Sequence, residues 1–363
     1  MSGPAWGRVL GVGMAIAGGT AAAAAGGLAA QRRFAARRAE RAGPAELGTL
    51  RSDPRVVVAD DGLLLHVEID EVGRPDASGA PEATADAPTV VLVHGYVLDL
   101  GCWHFQRAAL RGRYRVVLYD QRSHGRSGRS DPARTTIEQL GRDLAMVLHE
   151  VTTGPVVLIG HSMGGMSMLA LAEQFPEVVA ERVVGVAFMA TSAGGVGQLL
   201  PGAPGRLLDR AQPLVVAGLA RLPWLVETGR RTTAFALTKR IAFGGEVPDS
   251  YVVFVDQMIS RTPSDVIWDF FPSFRTHRRE HALAAYADVP GLVVGGELDH
   301  VLPFSHTERI AQELPRARLL ELAGVGHMLM LEQHEAVEEA IEELLAEVAA
   351  ESARPQPEPG RRP

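Results

Sequence analysis

The chain has 363 residues, of which 46% are hydrophobic, so it is long enough to form one large domain or two average ones around a sizeable core. Its formal net charge of −7 gives no general basis for binding nucleic acid, because phosphate backbones require a basic protein surface. Cys102 is the only cysteine, which excludes an intramolecular disulfide and a cysteine-rich zinc site.

The first distinctive segment is apolar. Residues 9–30 carry no charge and are long enough to cross a bilayer as a helix, although alanine and glycine dominate them. Arg8 precedes the segment and five arginines follow it by residue 41, the reverse of a secretory signal. Three interpretations stand: a membrane anchor that leaves the remaining chain cytoplasmic, a cleaved signal of a secreted protein, or a soluble extension. We predict a boundary after residue 43 and a location in the cytoplasm or at the cytoplasmic face of the membrane.

The main body begins with a predicted hairpin and continues as an alternating pattern. Residues 56–70 contain two strand signals joined at Asp61-Gly62, and residues 71–88 have the composition of a surface loop. Short runs of Val and Leu then recur, as is typical of strands buried on both faces, and amphipathic stretches such as 136–150 and 163–174 separate them. This alternation predicts a mostly parallel sheet flanked by helices. The predicted strands are 89–95, 114–120, 155–160, 183–191, 291–296 and 318–324.

The alternation stops over residues 192–288, where we expect an inserted helical cap. The core would then comprise residues 44–191 and 289–350, closed by a helix whose buried face runs from Val337 to Val348, and residues 351–363 would be a disordered tail. Large apolar side chains of the cap either form its own core or line a pocket for an apolar substrate group. They are Trp224, Tyr251, Phe254, Met258, Trp268, Phe270, Phe271 and Phe274.

Residues 160–164 carry the strongest chemical signal. They read Gly-His-Ser-Met-Gly, which fits G-x-S-x-G between a predicted strand and a predicted helix. A nucleophile in so sharp a turn needs neighbours without bulky side chains, and Gly160 and Gly164 meet that need. Ser162 is therefore the candidate nucleophile. Because a serine hydroxyl is a weak nucleophile near neutral pH, it requires a base and a group that orients the base.

We select His327 as the base from twelve histidines. It follows the last predicted strand in a glycine-flanked loop, at the carboxyl edge of the sheet where ligands bind. His124 lies in an arginine-rich loop that it is expected to structure, and His161 should point away from the serine hydroxyl. His300 and His306 are expected at the surface.

The orienting acid is expected after the strand 291–296. Asp299 is our choice and Glu297 is the second candidate, while Asp120 and Asp269 are more remote. A carboxylate there could accept the imidazole N–H of His327 and fix its tautomer. The alternative role of each acid is to cap its own loop.

An oxyanion site requires two preorganised N–H donors. The backbone amide of Met163 follows the nucleophile directly. We expect the second from Tyr96, in the loop after the strand 89–95, where Gly95 allows the backbone to approach a substrate closely.

The candidates occur in the chain order Ser, Asp, His, and from about residue 56 to residue 348 the sequence resembles the α/β-hydrolase superfamily. The blocks "HGY", "YDQRSHGRS", "GHSMGG", "GELDHVLP" and "GVGHMLMLE" carry the resemblance to its capped, esterase-like and lipase-like members. It implies the α/β-hydrolase fold, a cap inserted after the strand that follows the nucleophile's helix, and catalysis without a cofactor or metal. Ser123 departs from the pattern, since such loops commonly have glycine there. Serine at 162 argues against dehalogenases and epoxide hydrolases of this fold, which use aspartate.

Three functions are compatible with these residues. The first is a serine hydrolase that cleaves small-molecule carboxylic esters, with an apolar acyl group, through an acyl-enzyme on Ser162. The second is a cofactor-free haloperoxidase or perhydrolase with the same triad, and the third is a ligand-binding protein that keeps the fold without turnover. The sequence contains no H-E-x-x-H, P-loop or dinucleotide-binding motif that would indicate other chemistry.

Overall fold

The structure is a computed structural model that describes residues 47–73, 87–196 and 235–353. The apolar segment 9–30, Trp224, most of the predicted loop 71–88 and most of the predicted tail lie outside the described residues. Within the described ranges, no helix combines the length and the apolar character that a bilayer span requires.

Eight strands form one sheet in the order β1-β2-β4-β3-β5-β6-β7-β8 within the described chain. The predicted hairpin is present, with β1 and β2 antiparallel and Val58 opposite Leu64. β2 also pairs antiparallel with β4, and every later pairing is parallel. The expected mostly parallel sheet is confirmed. The strands are β1 (Pro54–Val58), β2 (Leu64–Asp70), β3 (Thr89–Val93), β4 (Val116–Tyr119), β5 (Val156–His161), β6 (Val183–Met189), β7 (Gly291–Gly296) and β8 (Ala317–Leu322).

Helices flank the sheet on both faces, and two apolar clusters fill the space between them. The strands β3, β4, β5 and β7 are buried at every residue, as their Val and Leu runs predict. β8 differs because it is an edge strand, and Leu319 is 44% exposed. The α-helices are α1 (His104–Leu110), α2 (Ile137–Val151), α3 (Met163–Gln174), α4 (Pro176–Arg182), α5 (Asp249–Arg261), α6 (Ser264–Thr276), α7 (Ser305–Glu313), α8 (Leu329–Glu332) and α9 (His334–Ser352), and the 3₁₀ helices are Leu100–Trp103, Pro132–Arg134 and Glu280–Tyr286.

The described part of the predicted cap is helical. Residues 235–242 and the helices α5 and α6 occupy it, and the chain segments that enter and leave it lie side by side. Gly194 forms an antiparallel bridge with Arg278, and the amide of Arg279 donates to the carbonyl of Ala193 at 2.7 Å. This pairing fixes the base of the cap beside the carboxyl end of β6.

The cap packs on the core through a third apolar cluster, formed by α2, α3 and α6. Phe270 is fully buried there, and Phe274 packs against its edge. Met258 is buried in the neighbouring cluster under α5. These side chains pack between cap and core, whereas the sequence analysis expected them in the cap's own core or in a substrate pocket.

The terminal helix α9 ends at Ser352, two residues beyond the expected end of the core at 350. Its buried residues include Val337, Ile341 and Val348, as the sequence pattern predicts.

Candidate active site

The turn between β5 and α3 presents Ser162 in a strained backbone conformation. β5 ends at His161 and α3 begins at Met163, which leaves Ser162 with φ 51° and ψ −117°. Positive φ is unfavourable for a residue with a side chain and persists only where the surroundings impose it. Here the amide of Ser162 donates to Met189 O at 2.9 Å, and Thr191 Oγ1 donates to Ser162 O at 2.6 Å. The strand β6 and its following loop therefore hold the turn.

The glycines of this turn lie where a side chain would not fit. A Cβ on Gly160 would approach Met168 Sδ to 2.5 Å, and a Cβ on Gly164 would overlap the carbonyl oxygen of Val93. The close passage of the β3, β5 and α3 backbones is the physical reason for glycine at both positions.

Asp299 and His327 form a hydrogen-bonded pair at the carboxyl ends of neighbouring strands. Asp299 follows β7, His327 follows β8, and His327 Nδ1 lies 2.8 Å from Asp299 Oδ2. The other carboxylate oxygen accepts the amides of Val301 and Leu302 at 2.7 and 2.8 Å. An Nδ1–H that donates to Asp299 leaves Nε2 with a free lone pair, which is the tautomer that a general base requires.

His161 connects the serine turn to the loop of His327. Its Nε2 donates to the carbonyl of His327 at 3.0 Å, and the two ring centroids are 4.8 Å apart. The ring of His161 is thus directed at the backbone of the base. Among the described residues, no hydrogen bond joins Ser162 Oγ to His327 Nε2, so their pairing stays a prediction; such bonds are often long before substrate binds.

The loop after β3 lies against Ser162. A Cβ on Gly95 would come within 3.2 Å of Ser162 Cβ and 2.6 Å of His161 Nδ1, so only glycine fits there. No acceptor in the described chain takes the backbone N–H of Tyr96 or of Met163. An oxyanion site requires two free N–H donors, so both amides stay candidates for it.

A comparison with known proteins identifies the fold family. Residues 90–340 match the sequence profile of the alpha/beta hydrolase family. The chain belongs to the alpha/beta hydrolase family. It is 25% identical over 264 residues to the uncharacterized hydrolase YugF of Bacillus subtilis strain 168, an alignment that covers 69% of this chain and 87% of that protein.

Solved structures of the family superpose over most of the chain. An enol-lactonase from Burkholderia xenovorans LB400 has a TM-score of 0.62 at 26% identity, covering 80% of this chain and 100% of that one. A thermophilic esterase from Thermogutta terrifontis has a TM-score of 0.61 at 23% identity, covering 82% and 99%. The family match and the enol-lactonase, at 26% identity, support a general hydrolase activity for this alpha/beta hydrolase, and the esterase, at 23% identity, shows the shared fold.

Two of the other acids considered from the sequence, Glu297 and Asp120, have different partners in this alpha/beta hydrolase, and the third, Asp269, is part of the cap helix α6. Glu297 is exposed and accepts the amide of Gly324 at 2.9 Å. Asp120 accepts the amides of Leu100 and Arg126, both at 2.8 Å, and burial raises its pKa. Glu297 and Asp120 stabilise loops, which is the alternative role the sequence allowed for them.

Two buried histidines organise the loops around the site. His94, which the sequence analysis did not single out although it begins the "HGY" block, bonds through Nδ1 to Gly95 O at 2.7 Å and accepts the amide of Gln121 at 2.8 Å. Burial lowers its pKa. His124 bonds to Arg122 O at 2.9 Å, and burial lowers its pKa to about 3, in line with the loop-structuring role expected for it.

His306 is a correction. We expected it at the surface, but it is buried, lies 2.8 Å from Ser192 Oγ through Nδ1, and has its pKa lowered to about 4 by burial. It packs under the base of the cap, whose position in space the sequence does not reveal. His300 is exposed as expected.

Ser123, the departure from the family pattern, adopts the left-handed backbone that glycine favours, with φ 65°. Its Oγ accepts the amide of Ser130 at 2.9 Å. The loop therefore keeps the conformation that glycine permits, and a side-chain hydrogen bond supports it. Within the described ranges, no cluster of three or more metal-ligating side chains occurs.

Proposed function

We propose that the protein hydrolyses small-molecule carboxylic esters through an acyl-enzyme on Ser162. The observation that carries the proposal is the 2.8 Å contact between Asp299 and His327, on a loop that His161 joins to the serine turn. The enol-lactonase at 26% identity adds support, because a lactone is a cyclic carboxylic ester.

In the first half-reaction, Ser162 Oγ attacks the ester carbonyl carbon while His327 Nε2 takes the hydroxyl proton. The carbonyl oxygen becomes an oxyanion that accepts the N–H groups of Tyr96 and Met163. Asp299 stabilises the imidazolium that forms. The C–O bond to the alcohol then breaks, and His327 gives its proton to the departing oxygen, which leaves an acyl-enzyme.

In the second half-reaction, a water molecule replaces the alcohol. His327 Nε2 takes a proton from this water, whose oxygen attacks the acyl carbon. The tetrahedral intermediate collapses, Ser162 Oγ leaves and recovers its proton from His327, and the carboxylic acid departs. These steps balance without a metal or a cofactor.

The test is to compare the wild type with Ser162→Ala and His327→Ala on an activated aryl ester. We expect a burst and steady turnover in the wild type, and a loss of turnover of about 10³-fold or more in each variant. A fluorophosphonate probe should label the wild type and leave Ser162→Ala unlabelled. Substitution of Ser162 should change the free energy of unfolding by no more than about 1 to 2 kcal/mol.

Other outcomes would distinguish the remaining functions. Turnover retained in Ser162→Ala would refute the nucleophile, and failure of the wild type to react with the probe or with any ester would favour a ligand-binding protein. Peroxide-dependent bromination faster than ester cleavage would favour a haloperoxidase. An ester series graded by acyl length tests whether the acyl group is apolar.

We further propose that residues 9–30 hold the protein at the cytoplasmic face of a membrane. The first described residues of the chain contact the core: the amide of Gly48 donates to His104 Nδ1 at 3.2 Å, and Arg107 donates to Leu50 O at 3.1 Å. Deletion of residues 1–43 spares both contacts. The truncated chain should therefore stay active and leave the membrane fraction, whereas unfolding, or a full-length chain found only in the soluble fraction, would contradict the proposal.

A further inference from the structure

Glu332 connects the loop of His327 to the cap. It is the last residue of α8, five positions after His327. Its Oε1 accepts the amide of Gly326 at 2.8 Å, and its Oε2 accepts the amides of Gly244 and Gly245 at 2.9 and 3.4 Å. One carboxylate thus binds the residue before the base and two consecutive residues of the cap.

The two segments that Glu332 joins are also in direct backbone contact. A Cβ on Gly244 would lie 2.6 Å from the amide nitrogen of Gly326, so there is no room for a side chain between them. On the other side of the base, the amide of Met328 donates to the carbonyl of Ala242 at 2.9 Å. The cap segment 242–245 therefore contacts the chain both before and after His327.

The backbone of His327 is consequently held from three directions. Gly326 is fixed through Glu332, the carbonyl of His327 accepts from His161, and Met328 is fixed by Ala242. Of these three restraints, two involve the cap segment. A displacement of that segment would be transmitted to the imidazole, whose Nε2 must reach the serine within hydrogen-bond distance.

We propose that Glu332 is a positioning residue for His327, through which the cap segment 242–245 determines the alignment of the general base. The inference rests on the proposed function, in which His327 is that base. The described hydrogen bonds of the Glu332 side chain reach neither His327 nor Ser162, so its effect would act through the backbone of Gly326.

The chemistry of the site favours a carboxylate over an amide. Three N–H groups point at the two oxygens, and a glutamine would present an NH₂ group to at least one of these donors. Burial and the nearby charge of Asp299 raise the pKa of Glu332, while the glycine amides oppose that shift. If one carboxylate oxygen is replaced by a group that cannot accept, at least one of these charge-assisted hydrogen bonds is lost and its N–H donor is left unpaired.

The primary test uses Glu332→Gln, with Glu339→Gln as the matched control because Glu339 is exposed on the following helix. Active sites are titrated with a fluorophosphonate, so that kcat refers to folded enzyme alone. We expect Glu332→Gln to lower kcat about 10- to 100-fold with little change in KM for a small ester, and Glu339→Gln to leave both unchanged. An unchanged kcat per titrated site in Glu332→Gln would overturn the proposal, even if the variant were less stable.

A double-mutant cycle tests the coupling to the cap. In Gly244→Ala the added methyl group would push the cap segment away from Gly326, so this variant should also lose kcat. Because both substitutions break the same contact, their effects should not multiply. The kcat of the double variant should be at most about twofold lower than the kcat of the slower single variant. Multiplicative losses would mean that the cap does not act through Glu332.

Hydrogen exchange measured by mass spectrometry keeps the inference separate from the proposed function, since it needs no substrate. Glu332→Gln should speed amide exchange in both segments, 240–246 and 324–331, at least about tenfold, and Glu339→Gln should change neither. Unchanged exchange would contradict the inference. If instead His327→Ala retains turnover, the proposed function fails by itself, whatever the exchange result.

Discussion

Tyr96 donates its phenolic hydroxyl to the carbonyl oxygen of Ile267 at 2.5 Å. The residue whose amide is proposed to bind the oxyanion is therefore tied by its side chain to the cap helix α6. The tyrosine ring also contacts Phe270 and Phe274, at centroid distances of 6.0 and 4.9 Å. Cap and oxyanion loop are joined at this residue much as cap and base are joined at Glu332.

Replacing Tyr96 with Phe removes this hydroxyl and keeps the ring contacts. We expect the free energy of unfolding to fall by about 1 kcal/mol, because the buried carbonyl of Ile267 loses its donor, and kcat to fall several-fold as the loop loosens. Denaturant unfolding and steady-state kinetics measure the two effects. Tyr251→Phe is the control, since Tyr251 contacts Phe105 by its ring and its hydroxyl has no hydrogen bond among those of the described chain. A Tyr96→Phe variant as stable and as fast as Tyr251→Phe would contradict the expectation.

Substituting Asp299 with Asn tests the orienting acid. An amide NH₂ facing His327 Nδ1 favours the tautomer with the proton on Nε2, which cannot act as a base. We expect kcat to fall about 10³- to 10⁴-fold, while the amides of Val301 and Leu302 keep an oxygen acceptor and the fold persists. Activity on an activated ester and far-UV circular dichroism would measure this.

Glu297→Gln is the matched control for that substitution. Glu297 is the other acid of the same loop, but it is exposed and bonded to Gly324. Its substitution should leave kcat within about twofold of the wild type, as is usual for surface changes. A larger loss in Glu297→Gln than in Asp299→Asn would reverse the assignment of the acid.

The core of the fold and the turn that presents Ser162 were predictable because their signals are local. A run such as Thr89–Val93 is apolar at nearly every position only if both faces are buried, and Ser162 lies between glycines that the turn requires. The sequence favoured Asp299 over Glu297, but only interatomic distances show which of the two acids contacts the histidine. Both acids follow the same strand, and the path of the loop that carries them depends on what packs against it.

The contacts that join cap and core could not be predicted, because they connect residues far apart in the sequence. Glu332 binds Gly244, 88 positions away, and Tyr96 binds Ile267, 171 positions away. Burial of His306 under the cap base has the same origin. Periodicity gives the face of a helix that is apolar but not the element that covers it.

Gly164 tests the packing of the serine turn. In Gly164→Ala the new Cβ would overlap the carbonyl oxygen of Val93, so either the turn opens or β3 shifts. We expect a loss of about 2 kcal/mol or more in the free energy of unfolding, together with a large loss of kcat, because overpacked cores are strained. Gly73→Ala is the control, since its nearest neighbours are at 3.5 Å, an ordinary contact distance. Equal stability of the two variants would show that the turn accommodates a methyl group.

His277 at the base of the cap predicts acid sensitivity of the fold. Its Nε2 donates to Ser192 O at 2.9 Å and its Nδ1 accepts from Arg279 at 3.0 Å. Burial is the main cause that lowers its pKa to about 4, and Arg279 lowers it further, while the bond to Ser192 and the charges of Glu280 and Glu138 oppose the shift.

Below pH 6.5 the unfolded chain protonates this histidine and the folded chain does not, until the pH approaches 4. The stability that neutral His277 contributes is therefore present above pH 6.5 and lost as the pH falls toward 4. At about 1.4 kcal/mol for each pKa unit, the loss from this one group is at most about 3 to 4 kcal/mol. The substitution His277→Gln tests this, because the glutamine amide can still donate to Ser192 O but does not titrate. Between pH 6.5 and 4 the free energy of unfolding of this variant should fall less steeply with decreasing pH, since unfolding takes up as much as one proton fewer than in the wild type.

Denaturant unfolding at a series of pH values measures that slope, with His149→Gln, at an exposed position, as the control. Identical slopes in His277→Gln and the wild type would show that another group, such as His306, carries the acid sensitivity.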